Sequence, residues 1–129
     1  MVILGLVLVS IAALFHVYVF VLESLTWRTP RTRATFGIRS DEEAEATTLL
    51  AYNQGFYNLF LAIGTGVGVV LVLTGSREAG FAVITFGAGA MAAAGVVLAA
   101  SQPTLIRAAA LQFLPPALGL AALGFGTMV

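Results

Sequence analysis

Cysteine and lysine are both absent from the 129 residues, histidine and tryptophan occur once each, and only 9% of positions are charged. Without cysteine there are no disulfides, no thiolate ligands and no thiol redox chemistry. One histidine without cysteine falls short of the usual zinc ligand set, and it is thin support for a haem axial ligand, so no metal site is expected. Six arginines balance six acids, which leaves no basic face for nucleic acid. What the chain has in abundance is apolar surface. Sixty per cent of residues are hydrophobic, with a mean hydropathy of +1.02, against about 45–50% apolar and about 25% charged in soluble domains. An all-α integral membrane protein of one domain, multi-pass in a cell (inner) membrane, is expected, with the lipid bilayer as its first partner.

Four apolar stretches are long enough to cross a hydrocarbon core of about 30 Å at about 1.5 Å per residue. They cover approximately residues 2–22, 49–74, 80–100 and 108–129, with a polar connection over 23–48. The first stretch lacks the positive n-region of a signal peptide, and the following ESLTWRTPRTR carries stop-transfer charge rather than a small-x-small cleavage site. In SDEEAEATT, Ser40 and Glu43 have the spacing of a capping box and acids fill the first turn, so the second long helix is expected to start near Asp41. Arg28, Arg31, Arg33, Arg39 and Arg107 lie on one side of this topology and Arg77 on the other. That bias predicts a cytoplasmic 23–48 connection and both termini outside, in a four-transmembrane-helix bundle. Trp27, just beyond the first span, fits an interfacial anchor.

Polar residues within the spans concentrate in the half nearer that connection. His16 and Glu23 share one face of the first span with Phe20, His16 lying about 10 Å deeper than Glu23. Asn53 with Tyr57, and Gln54 with Asn58, form two i, i+4 pairs on the second span, and Gln112 lies about a turn into the fourth. Pro115 and Pro116 withhold backbone donors from the carbonyls of Leu111 and Gln112. Unpaired polar groups are costly in lipid, so these side chains are expected to face the bundle interior, one another or water. Interhelical hydrogen bonding alone accounts for such residues in many membrane helices. His16 carries the strongest functional expectation, as the sole histidine at apolar depth, and it is expected to reach a polar group of the second or fourth span. Glu23 has a competing structural reading, solvation or pairing with Arg28 or Arg31. Asp41, Glu42, Glu43 and Glu45 read as a solvated helix start. Gly64-x-Gly66-x-Gly68 lies mid-span with no preceding strand and reads as packing surface rather than a nucleotide loop, with Gly64 and Gly68 as a GxxxG pair that permits a homodimer.

His16-x-Tyr18 with Glu23 and Trp27, the block Asn53-Gln54-Gly55-x-Tyr57-Asn58, and Gln112-x-x-Pro115 together resemble the small four-span bacterial membrane family known as domain of unknown function thirteen-zero-four. The resemblance covers nearly the whole chain, with Pro116 standing where the family usually has alanine. It implies a four-helix membrane fold, adds Tyr18 to the candidate residues and implies no activity or cofactor.

The function expected from the residues is an intramembrane pocket, open to the cytoplasmic leaflet, for a small amphipathic or apolar ligand of the quinone, lipid or isoprenoid type. His16, Tyr18, Glu23, Asn53, Gln54, Tyr57, Asn58 and Gln112 would bind it, with Phe15, Phe20, Phe56 and Phe60 around its apolar part. Catalysis stays open, with His16 and Glu23 as the candidate acid or base. Two other classes fit the same residues: a small proton-coupled transporter, and a non-catalytic subunit or assembly factor of a membrane complex.

Overall fold

In the computed structural model, residues 1–127 are described and are helical apart from short connections. Helix α1 (Val2–Phe20) runs into a π-helical turn (Val21–Leu25), followed by a short α2 (Pro30–Phe36). Then come α3 (Asp41–Leu73), α4 (Arg77–Ser101), a 3₁₀ turn (Pro103–Leu105) and α5 (Ile106–Thr127). Four of these segments, Val2–Leu25, Asp41–Leu73, Arg77–Ser101 and Pro103–Gly126, are long and apolar enough to cross a membrane. The fourth helix continues through Pro115 and Pro116 rather than breaking there.

The start of α3 follows from its first residues. Ser40 Oγ accepts the Glu43 N–H at 3.1 Å, while the Glu43 carboxylate accepts the Arg39 N–H at 2.9 Å, one position earlier than in the usual reciprocal box. Asp41, Glu42 and Glu43 occupy the first turn, where the helix dipole favours negative charge. At 33 residues the helix is about 50 Å long, so its first turns stand clear of a hydrocarbon core.

The long helices form a ring in which α1 packs on α3 and α5, and α4 packs on the same two from the opposite corner. Neighbours are antiparallel, and Val2 lies against Gly126, which brings both ends of the described chain to one end of the bundle. Backbone proximity sets this packing. A Cβ on Gly68 would lie 3.0 Å from the Gly80 carbonyl, and one on Gly80 would lie 2.7 Å from the Gly68 carbonyl. Small residues allow that approach, where dispersion rather than hydrophobic transfer holds helices together. Gly64, expected as the partner of Gly68 at a close contact, has nothing within 4 Å of where a Cβ would stand; the tight contact is Gly68 with Gly80.

Bulky apolar side chains face outward, as Ile3, Leu14, Phe86 and Val97 do, whereas His16, Thr65, Met91 and Pro116 are fully buried. Beyond them, toward the termini, the core is Leu6, Val9, Val72, Ile84, Ala88 and Leu123. An exterior of bulky apolar side chains suits lipid as the surrounding solvent.

Candidate functional site

Glu23 sits in the middle of the π-helical turn, the one place where α1 departs from regular geometry. The Thr26 N–H reaches the Val21 carbonyl at 3.0 Å, an i to i+5 bond that widens the helix by one residue; such turns are frequent at functional positions. The Glu23 side chain is nearly buried, and Asn58 on α3 donates to its carboxylate at 2.9 Å. The other Asn58 amide hydrogen goes to the Gln54 carbonyl at 3.1 Å, which fixes the amide orientation. Glu23 makes no ion pair with Arg28 or Arg31; Arg28 instead pairs with Glu45 at 2.6 Å.

The glycine of the Asn53-Gln54-Gly55 block has a packing role. Ser24 lies directly against Gly55, and its hydroxyl donates to the Tyr52 carbonyl at 2.9 Å. Beside this contact opens a groove of about 340 Å³, lined by residues from Glu23 to Thr29 together with Thr48 and Tyr52 of α3. From it an aromatic file runs along the α1–α3 edge. Phe56 meets Tyr52 at 5.0 Å, Phe20 at 5.1 Å and Phe60 at 6.1 Å between ring centroids.

The connection above the groove is tied down. Pro30 at its first position and Thr29 as N-cap start α2, whose end is closed by Gly37 in the left-handed region at φ 71. Ile38 N–H to Arg33 carbonyl and Gly37 N–H to Ala34 carbonyl form a Schellman closure. Trp27 donates its indole N–H to the Ala44 carbonyl and to Thr47 Oγ1, both at 3.2 Å, and its ring packs at a tilt against Phe36, 5.1 Å between centroids. Trp27 is thus a clamp between the connection and α3, beyond the interfacial role its position suggests. Arg33 with Asp41 adds an ion pair, so part of the acidic helix start engages the connection as well as water.

The eight expected ligand-binding residues do not form one cluster. Glu23 and Asn58 meet at the groove. Tyr18, Asn53, Gln54 and Tyr57 are exposed on the outer surface, and the Asn53 amide returns to the Leu49 carbonyl of its own helix at 2.9 Å. Gln112 is half-buried on α5. His16 faces the bundle interior as expected and is fully buried. Its bonded partner, however, is its own helix: Nδ1 lies 2.9 Å from the Ala12 carbonyl, and Nε2 has no hydrogen-bond partner. Thr65, Trp27 and Ser24 were not among the expected site residues; Thr65 is fully buried with an unpartnered hydroxyl. Among the described residues, no three histidine, aspartate or glutamate side chains gather where they could hold a metal ion.

No curated protein and no solved structure matches the chain. A family match covers residues 10–124, which include the π-helical turn, the groove and the aromatic file. The chain, with its four helices long and apolar enough to cross a membrane, belongs to the family described as Protein of unknown function (DUF1304).

Proposed function

We propose that this protein binds a small amphipathic molecule of the quinone, lipid or isoprenoid type, with its head in the groove beside Glu23 and its chain along the Phe20, Phe56 and Phe60 edge. The observation that carries the reading is the Glu23 carboxylate, nearly buried and held by Asn58 at the wall of a groove that also contains Arg28, Thr48 and Tyr52. A few fixed polar groups beside apolar and aromatic surface are the usual makeup of a site for such a ligand. A head group that donates to Glu23 and accepts from Arg28 matches the wall. Five of the six arginines lie at this end of the chain's topology, so the groove faces the cytoplasmic side of the cell membrane and the termini lie outside. The apolar layer around Val9, Ile84 and Leu123 argues against a proton-coupled transporter, which needs a polar path through that layer.

Trp27 lines the groove and is the only tryptophan, so its fluorescence reports on occupancy. Decylubiquinol, whose hydroxyls can donate to Glu23, and a lipid brominated near the head group, titrated against the protein in nanodiscs, test the quinone-type and lipid arms. Saturable quenching by either, with an apparent Kd raised at least tenfold in Glu23→Leu, is expected. Quenching by both that rises linearly with concentration and is unchanged in Glu23→Leu would overturn the reading.

A further inference from the structure

Two buried side-chain atoms find no hydrogen-bond partner among the described residues, His16 Nε2 and Thr65 Oγ1. Both residues are fully buried, and a buried polar atom left unpaired carries the full desolvation penalty of that group. Local geometry brings the two side chains to one level of the bundle interior, where the Thr65 hydroxyl lies against Gly87 of α4. On a helix the side chain leans toward the N-terminus, and α1 and α3 are antiparallel, so His16 and Thr65 lean to a common level. The His16 ring reaches back to the carbonyl of Ala12, and Ala12 and Ala13 pack with Ala62, one turn before Thr65.

A third polar group belongs to the same level. Val9 lies against Gly119, with its backbone nitrogen 3.0 Å from where a Cβ on that glycine would stand. Continuing that antiparallel register along α1 and α5 puts Ala12 opposite Pro116 and His16 opposite Gln112. Pro116 is fully buried and has no N–H, so the Gln112 carbonyl, aimed along the helix toward it, lacks its regular donor.

The hydrogen-bonding capacities specify the occupant. The Ala12 carbonyl can only accept, so Nδ1 carries the proton in that bond and Nε2 of the neutral ring is an acceptor. The Gln112 carbonyl is also an acceptor, and the Thr65 hydroxyl is free to donate. We propose that His16 Nε2, Thr65 Oγ1 and the Gln112 carbonyl bind one water molecule that joins α1, α3 and α5. It donates one hydrogen to Nε2 and one to the carbonyl, and accepts from the threonine. A molecule with a single donor, such as an alcohol, leaves one acceptor unpaired, and three bonds is the usual number for an internal water. The site is independent of the groove beside Glu23.

The single histidine makes the test specific. In protein labelled with ¹⁵N only at histidine and held in nanodiscs, NMR should show an Nδ1-protonated ring with a cross-peak to a long-lived water. Thr65→Val, which keeps the shape and removes the hydroxyl, should lose that cross-peak, and Thr65→Ser should keep it. Pro116→Ala, which returns an N–H to the Gln112 carbonyl, should lose it too. A wild-type protein without the cross-peak overturns the site, whether or not the variants fold. Persistence in Thr65→Val overturns it as well, and persistence in Pro116→Ala removes Gln112 from it.

Discussion

Asn58 Nδ2 donates to the Glu23 carboxylate at 2.9 Å across 35 residues of chain, and this bond joins the irregular turn of α1 to the polar face of α3. The irregularity and the pairing go together. The extra residue of the π-helical turn changes the direction in which the following side chains project, and the carboxylate at its centre meets the one amide of the NQGxYN block that turns inward.

Removing one partner of this pair should cost more than removing both. Asn58→Leu leaves a nearly buried carboxylate with one donor fewer, at an expected cost of about 1–3 kcal/mol. Glu23→Leu combined with Asn58→Leu replaces the pair with apolar groups of similar size and should recover most of that loss. Thermal unfolding in detergent of the single and double variants checks this; additive losses would show that the two side chains do not act as a pair.

Trp27→Phe keeps a ring beside Phe36 and removes the indole N–H that reaches Ala44 and Thr47. The expected loss is about 1 kcal/mol, confined to the connection. Hydrogen exchange should speed up at the amides of residues 29–40 and stay unchanged within the long helices. Uniform loss of protection would instead make Trp27 part of the global fold.

The helices are legible in the sequence because hydropathy and length mark spans directly, and because Ser40 and Glu43 announce the start of α3. The bounds of α2 are written just as clearly, in Thr29-Pro30 and Gly37, but a seven-residue helix between charged residues carries no apolar run to draw attention to it. The site is legible only in part. Depth can be read from sequence, so Glu23 and Asn58 read as belonging to one end; azimuth within a helix depends on packing, and the π-helical turn shifts it for everything that follows. Asn53, Gln54 and Tyr57 therefore share a depth with Asn58 without sharing its face. Thr65 escapes notice because a lone threonine in an apolar helix usually returns its hydroxyl to its own backbone, and only the structure shows that this one does not.

Orientation has its own test. Reporters fused at the C-terminus and inserted between Arg31 and Arg39 should mark opposite sides of the membrane, the first outside and the second in the cytoplasm, because five arginines border the groove end. Reversed signals would place the groove at the outer leaflet and leave its internal geometry unaltered.

The two glycines of the expected GxxxG pair separate cleanly by what surrounds them. A methyl on Gly68 would meet Ile84 Cγ1 at 2.7 Å and the Gly80 carbonyl at 3.0 Å, whereas one on Gly64 meets nothing within 4 Å. Gly68→Ala must push α3 from α4 or displace Ile84, an overpacking cost of about 1–3 kcal/mol, while Gly64→Ala removes only backbone freedom and should leave the melting temperature unchanged or raised. Gly64→Leu extends the comparison to a surface that, within one chain, borders open space. Unchanged stability with a smaller particle in detergent would reveal a second copy on that face, and unchanged stability and size would leave it to lipid. Equal destabilisation by Gly64→Ala and Gly68→Ala is the result that contradicts the packing described for α3.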